Sequence, residues 1–433
     1  MEKPSLAERL IAPLTLLEKS RGWKRRGLAL LYVMTALVVG SFIWRELSVW
    51  RLRNVPEPFD AAKYGRLSIP DANNALVAYQ LVIDKFGKLE TRGYQAPPKA
   101  WEVSDWAKAD PEVRRWVEDH RIALPAWLLA GERTDALLVE PEGRRSSMLL
   151  GAVQELPPYV RLALLEGSRL EQSGDLSGAW SMYLGALRAS RHAGGHGGWS
   201  ERQYGNSFLK LARARIETWI ENPGLTPDHF RRAIVDVEAC SAMTSPASEM
   251  VRAEYFSALD ALSRPEEWPN MIDDGPDSRM DPINQFEIVR WGRLFLRREP
   301  ERSRRVLRLI VAGYLAQCDQ PPTSRPKLVS PEFMIYDHDH RTPRAVRAMS
   351  PAELEAWAKS STKIGFWNFS NLLQALVDSE PGVLDHLRLR MAERAFEIEH
   401  GRLPKTYGEL LGPYLNSLPD GIEPDDPANP GAG

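Results

Sequence analysis

Eighteen consecutive residues without a charge, Gly27 to Trp44 (GLALLYVMTALVVGSFIW), stand between Lys24-Arg25-Arg26 and Arg45, and no other stretch constrains the chain as much. As a helix rising about 1.5 Å per residue the segment reaches roughly 27 Å, close to the hydrocarbon thickness of a bilayer. A buried core helix would carry a polar face, whereas only Tyr32, Thr35 and Ser41 interrupt this run. A cleaved signal peptide is the nearer competitor, with Val38-Val39-Gly40 as a small-residue site before Ser41. Against it, a long polar region precedes the run and bulky Phe42, Ile43 and Trp44 continue it. The sequence therefore predicts one uncleaved transmembrane helix over 27–44 in the lipid bilayer of the cell membrane, with Trp23, Trp44 and Trp50 at the interfaces where indoles settle.

Orientation follows from basic residues near the span. Arg9, Lys19, Arg21, Lys24, Arg25 and Arg26 precede it, against Arg45, Arg51, Arg53 and Lys63 after it. This bias predicts a cytoplasmic N-terminus and an extracytoplasmic C-terminal body.

The 433 residues are 43% hydrophobic and 26% charged, enough for the part after the anchor to bury a sizeable core. A net charge of −2 lacks the basic excess of a dedicated nucleic-acid binder, so no nucleic-acid partner is expected. Cys240 and Cys318 are too few and too far apart for a disulfide framework or a zinc site, and two buried free thiols are expected.

The chain divides into a basic tail (1–26), the membrane helix (27–44), a linker (45–70) and an α-helical ectodomain (71–380). A C-terminal helix with its tail (381–418) and a flexible Pro/Gly-rich end (419–433) complete it. In the tail, Leu6, Leu10, Ile11, Leu14 and Leu17 recur at helical spacing, a piece suited to the inner membrane face. Asp71 to Phe86 reads as a capped amphipathic helix, with further helices at Asp110 to His120 and Leu124 to Leu129. Thr226-Pro227-Asp228 and Ser350-Pro351-Ala352-Glu353 are helix starts with proline at the first position. Breaks are expected at Pro157-Pro158, His192 to Gly198 and Pro381, among others. No long period-two pattern occurs, so the fold class is all-α, an irregular helical stack with room for a short hairpin near Phe333 to Tyr336.

In Pro158 to His192, Gly167 and Leu170 share one helix, Gly174-Asp175 make a turn, and Ala179, Tyr183, Ala186 and Leu187 line the next helix. This segment resembles a tetratricopeptide (TPR) hairpin, with Ala163 and Arg191 where that family carries Trp and Pro. The resemblance covers about one repeat and implies close helix packing with a protein-binding role. Gly167, Leu170, Ala179 and Tyr183 are the interaction candidates it supplies.

At the C-terminus, a helix ending at His400-Gly401 is followed by Leu403-Pro404, Leu410-Leu411, Tyr414-Leu415, Leu418-Pro419 and Asp426-Pro427. These roughly 40 residues are similar to the tail of major pseudopilins of type II secretion, a likeness that would place calcium near Asp420, Asp425 and Asp426. The prepilin motif is absent and the terminal sequence differs, so a pseudopilin is excluded and no cofactor is expected. The anchor, Gly-Asp hairpin and tail together resemble bacterial single-span membrane-anchored helical proteins whose activity is unassigned.

Asp337-His338-Asp339-His340 is the densest set of potential metal ligands, and an extended segment would put both imidazoles on one side. A polar loop is the simpler reading of these four residues. Glu397 and His400 form one Glu-x-x-His step, half of what a di-iron bundle uses. His192 and His196 flank a glycine-rich loop without a P-loop lysine, which reads as a helix connection. Arg297, Arg298, Arg304 and Arg305 belong to an arginine-rich helix suited to a wet face or an acidic partner. No nucleophile constellation is recognisable.

The function expected is non-enzymatic: an envelope interaction or scaffold module that binds a protein partner. The alternative is a membrane-anchored metal-dependent hydrolase using Asp337 to His340, and a third is an envelope assembly factor linked to secretion.

Overall fold

The computed structural model describes residues 22–50, 56–89, 106–145, 151–263, scattered positions between 301 and 319, 369–419 and 421–428. The apolar helix α1 runs from Trp23 to Trp50, longer at both ends than the apolar run. Within Trp23–Leu47 an 18-residue window has a mean hydropathy of 2.0 and is 0% buried, so this helix is long and apolar enough to cross a membrane. Two hydroxyls within it are satisfied internally: Thr35 Oγ1 donates to the carbonyl of Leu31 at 2.8 Å and Ser41 Oγ to that of Val38 at 2.7 Å. Neither hydroxyl is left unpaired on the apolar surface.

The short helix α2 (Ala61–Gly65) is capped by Asp60, and α3 (Ala75–Phe86) by Asn74, whose side chain accepts from Leu76 N at 3.1 Å. Asn74 also binds both the carbonyl and the N–H of Leu137, stapling the start of α3 to a distant loop. Helix α4 (Pro111–His120) starts at an Asp110 cap with proline next, and α5 (Leu124–Ala130) pairs with α3.

Helix α6 (Ala152–Gln172) contains Pro157 and Pro158, where a break is expected. Each proline removes a helical hydrogen bond. The helix continues because Val153, Leu156, Tyr159 and Val160 are wholly buried, and tertiary burial outweighs the local cost. After a turn at Gly174 (φ 86°), Asp175 caps α7 (Leu176–Gly194) by accepting from Gly178 N at 2.8 Å.

Then follow α8 (Trp199–Ile220), α9 (Pro227–Ala242) and α10 (Ala247–Ser263). The α9 start is a capping box in which His229 serves as the third-position partner of Thr226. The last helix, α11 (Phe369–His400), passes through Pro381 without interruption.

Helices α6 and α7 form an antiparallel hairpin, and α8 packs along both. The next layer is assembled non-locally: α11 lies against α8 and α9, and α9 also touches α7. Leu387, Met391 and Ala395 of α11 are wholly buried in the core that holds Tyr183, Trp219 and Phe230. The described residues are all-α, with isolated β-bridges and no strand. The possible hairpin near Phe333 to Tyr336, the Ser350 cap and the helical tail before residue 22 lie outside the described residues.

Candidate functional site

The hairpin interface explains the Gly167 to Leu187 pattern as packing. A Cβ on Gly167 would stand 2.4 Å from Tyr183 Cε1, so only glycine allows the ring to lie there. Tyr183 and Ala179 are wholly buried, and the Tyr183 hydroxyl donates to Glu171 Oε2 at 3.0 Å. Burial, reinforced by the Glu171 charge, pushes the phenol far above its ordinary range. Gly167, Ala179 and Tyr183 are thus interior, with Leu170 half-buried beside them. These candidates lie inside the hairpin rather than on its surface, because the small residues that let two helices approach are hidden by that approach.

Arg304 and Arg305 both bind Glu301, at 3.3 and 3.1 Å, one helical turn away. Arg308 instead reaches Glu57, which also accepts from the Tyr255 hydroxyl. The arginine-rich stretch therefore contributes a structural tie as well as surface charge. Arg297, Arg298, Asp337, His338, Asp339, His340 and Asp420 lie outside the described residues.

The remaining sequence candidates are occupied locally. His400 Nδ1 pairs with the Phe396 carbonyl at 3.1 Å and its ring stacks on Phe396 at 4.1 Å, while Glu397 binds Arg394. Asp426 Oδ2 accepts from Glu423 N at 2.9 Å, and backbone bonds from Tyr407, Gly408 and Ala428 tie residues 424–428 to 405–408. Part of the end expected to be flexible is thereby hydrogen-bonded. Cys240 and Cys318 are buried thiols outside any disulfide, and burial raises the Cys240 thiol to about 11. Among the described residues no three His, Cys, Asp or Glu side chains converge as a metal group.

The densest polar site surrounds the α7–α8 loop, His192 to Gly198. The loop is a helix connection, as its glycines suggest, but it is also the centre of a network. His192 is buried between Tyr79, whose hydroxyl lies 3.3 Å from Nδ1, and the Arg133 carbonyl, 2.9 Å from Nε2. A carbonyl only accepts, so Nε2 carries the proton and the ring is neutral. Burial lowers its pKa to about 4.

His196 has the opposite environment. Its Nδ1 lies 3.1 Å from Glu249 Oε2 and its Nε2 3.1 Å from Asp135 Oδ1. Both partners are carboxylates, so satisfying both contacts requires two N–H groups and a charged imidazolium. The hydrogen bond to Glu249 and the two negative charges outweigh burial and raise its pKa. His196 also holds a positive φ of 46°, a conformation costing a non-glycine residue about 1 kcal/mol. Glu249 is held below its ordinary range: burial pushes it up, but His196, Tyr64 and Arg252 outweigh that. Arg252 donates to Glu249 Oε1 at 2.8 Å and lies over the rings of Phe59 and Tyr64.

One helical turn further along, Glu254 turns its carboxyl into the same loop and accepts from Trp199 N at 2.5 Å. A Cβ on Gly198 would stand 2.3 Å from Glu254 Oε1, so the bare backbone is what admits the carboxyl. Arg144 forms a buried ion pair with Glu201 beside it. Arg144 is paired with Glu201 and gives Glu254 only a weaker through-space attraction, and burial together with the Glu201 charge raises Glu254 to about 7. The network joins the loop at 135, the turn before Arg144, α8 and α10. Sequence reading found His192 and His196 but missed Arg144, Glu201, Glu249 and Glu254, which are scattered over more than 100 residues. The cluster of four glycines around His196 was the one local sign of close approach.

Compared with known proteins, the chain matches no family model, no curated protein and no solved structure.

Proposed function

We propose that the chain is a single-pass protein of the bacterial envelope whose helical body, tethered by α1, acts as a non-enzymatic protein-interaction or scaffold module. The observation that carries the reading is a wholly unburied apolar helix attached to a stack of packed helices. The first needs a bilayer, and the second offers broad, rigid helix surfaces of the kind that bind polypeptides. The resemblance of α6–α7 to one TPR hairpin supports the same class. The basic cluster Lys24-Arg25-Arg26 favours a cytoplasmic N-terminus with the body outside.

Photo-crosslinkers placed at exposed Ile122, Leu129 and Val235 test the reading in intact membranes. A single protein recovered reproducibly from at least one position, and displaced by excess purified full-length chain in micelles, is the expected result. Absence of any displaceable adduct at all three positions overturns it. A reporter fused after Gly433 is expected to be active only outside the cytoplasm.

A further inference from the structure

Helix α10 meets the helix stack through charges. His196 bridges Asp135 and Glu249, and Glu254 enters the same loop beside the Arg144–Glu201 pair. The same helix holds the segment that follows the membrane helix. Tyr64 donates its hydroxyl to the Glu249 carbonyl at 3.2 Å, Phe59 packs edge-on against Tyr255 at 5.4 Å, and Tyr255 donates to Glu57.

We propose that the His196–Trp199 loop and α10 form a proton-dependent clasp, which fastens α10 and the segment 56–65 to the stack in mild acid and loosens as the pH rises. The geometry requires protons at two points. A neutral imidazole has one N–H and cannot serve both Asp135 and Glu249. Glu254 lies beside a guanidinium already paired with Glu201, which leaves it short of a counter-charge unless it is protonated.

The other groups facing α10 and the loop do not reverse this dependence. Arg202 donates to the carbonyls of Ser245 and Pro246, and Arg191 to Thr244 Oγ1. Arg252 pairs with Glu249, Asp319 accepts from Ser248 N, and Arg308 reaches the Glu57 that Tyr255 holds. Arginines keep their charge throughout, Tyr64 and Tyr255 are pushed above their ordinary range by burial, and His192 stays neutral.

The signs agree. His196 is raised, so its contribution is complete below about 6.5 and is lost as the pH climbs through its folded value. Glu254 binds its proton more tightly in the folded chain, so stability falls between about 4.5 and 7. Glu249 is depressed and loses its contribution only in stronger acid.

Hydrogen exchange of the full-length chain in detergent micelles, corrected for intrinsic rates, tests the clasp at pH 5.5 and 8.5. Peptides covering 247–263 and 56–65 are expected to lose at least about tenfold in protection at the higher pH, roughly one pKa unit of linkage. Peptides within 159–187 are expected to change less than about twofold. His196→Gln should lower α10 protection at pH 5.5, and Glu254→Gln should raise protection at pH 8.5 above that of the wild type and so shrink the step. In the double variant the pH step should vanish. Equal protection of wild-type α10 at both pH values, or an unchanged step in the double variant, overturns the proposal. Should His196→Gln also expose 159–187, Glu254→Gln decides alone, and a step as large as in wild type then overturns it.

Discussion

The α6–α7 hairpin and the α10 junction belong to one body but are held by different physics. In the hairpin a tyrosine ring fills the groove that Gly167 leaves, and its hydroxyl is the main polar contact there. At α10 an imidazole, three glutamates, an aspartate and two arginines meet around a glycine-rich loop. Close packing is intolerant of volume change and indifferent to pH, whereas a buried charge network is intolerant of lost partners and responds to protons. The two kinds of junction contrast a packed core with a charged contact that also touches the segment following α1.

Three substitutions sharpen this contrast, each measured by urea unfolding of the full-length chain in micelles at pH 5 and pH 8. Tyr183→Ala empties the hairpin groove and is expected to destabilise by about 4 kcal/mol, equally at both pH values. A cost that varied with pH would show the hairpin to be electrostatic too. Arg144→Ala leaves Glu201 buried without its cation and is expected to cost about 3 kcal/mol at pH 8. That cost should shrink at pH 5, where a carboxylate takes up a proton; an equal cost at both would make Arg144 a packing residue. Glu254→Gln removes a carboxylate that ionises reluctantly, so it is expected to stabilise by about 1 kcal/mol at pH 8 and to leave pH 5 unchanged. Destabilisation at pH 8 would show that Arg144 prefers the charged form.

The helices themselves were largely legible in the sequence. Asp110-Pro111, Asp175 and Thr226-Pro227 start helices where cap chemistry places them, and the apolar run from Gly27 lies within α1. Pro157-Pro158 and Pro381 misled, because a proline announces a local cost but not the burial that outweighs it. The pairing of α9 with α11 was equally hidden, since its partners stand more than 120 residues apart. Likewise Gly167 and Tyr183 were visible as a pattern, but the pattern does not distinguish a surface that binds from an interface that is already filled.

By itself the sequence determined an all-α chain with one apolar helix suited to a bilayer, because hydrophobic run length and cap residues act locally. Tertiary structure decided which residues became a site. Asp135, Arg144, His196, Glu201, Glu249 and Glu254 have ordinary side chains at unremarkable spacings, and their properties arise when the fold removes water and sets opposite charges about 3 Å apart. That energy depends on distances between elements, which no local pattern encodes.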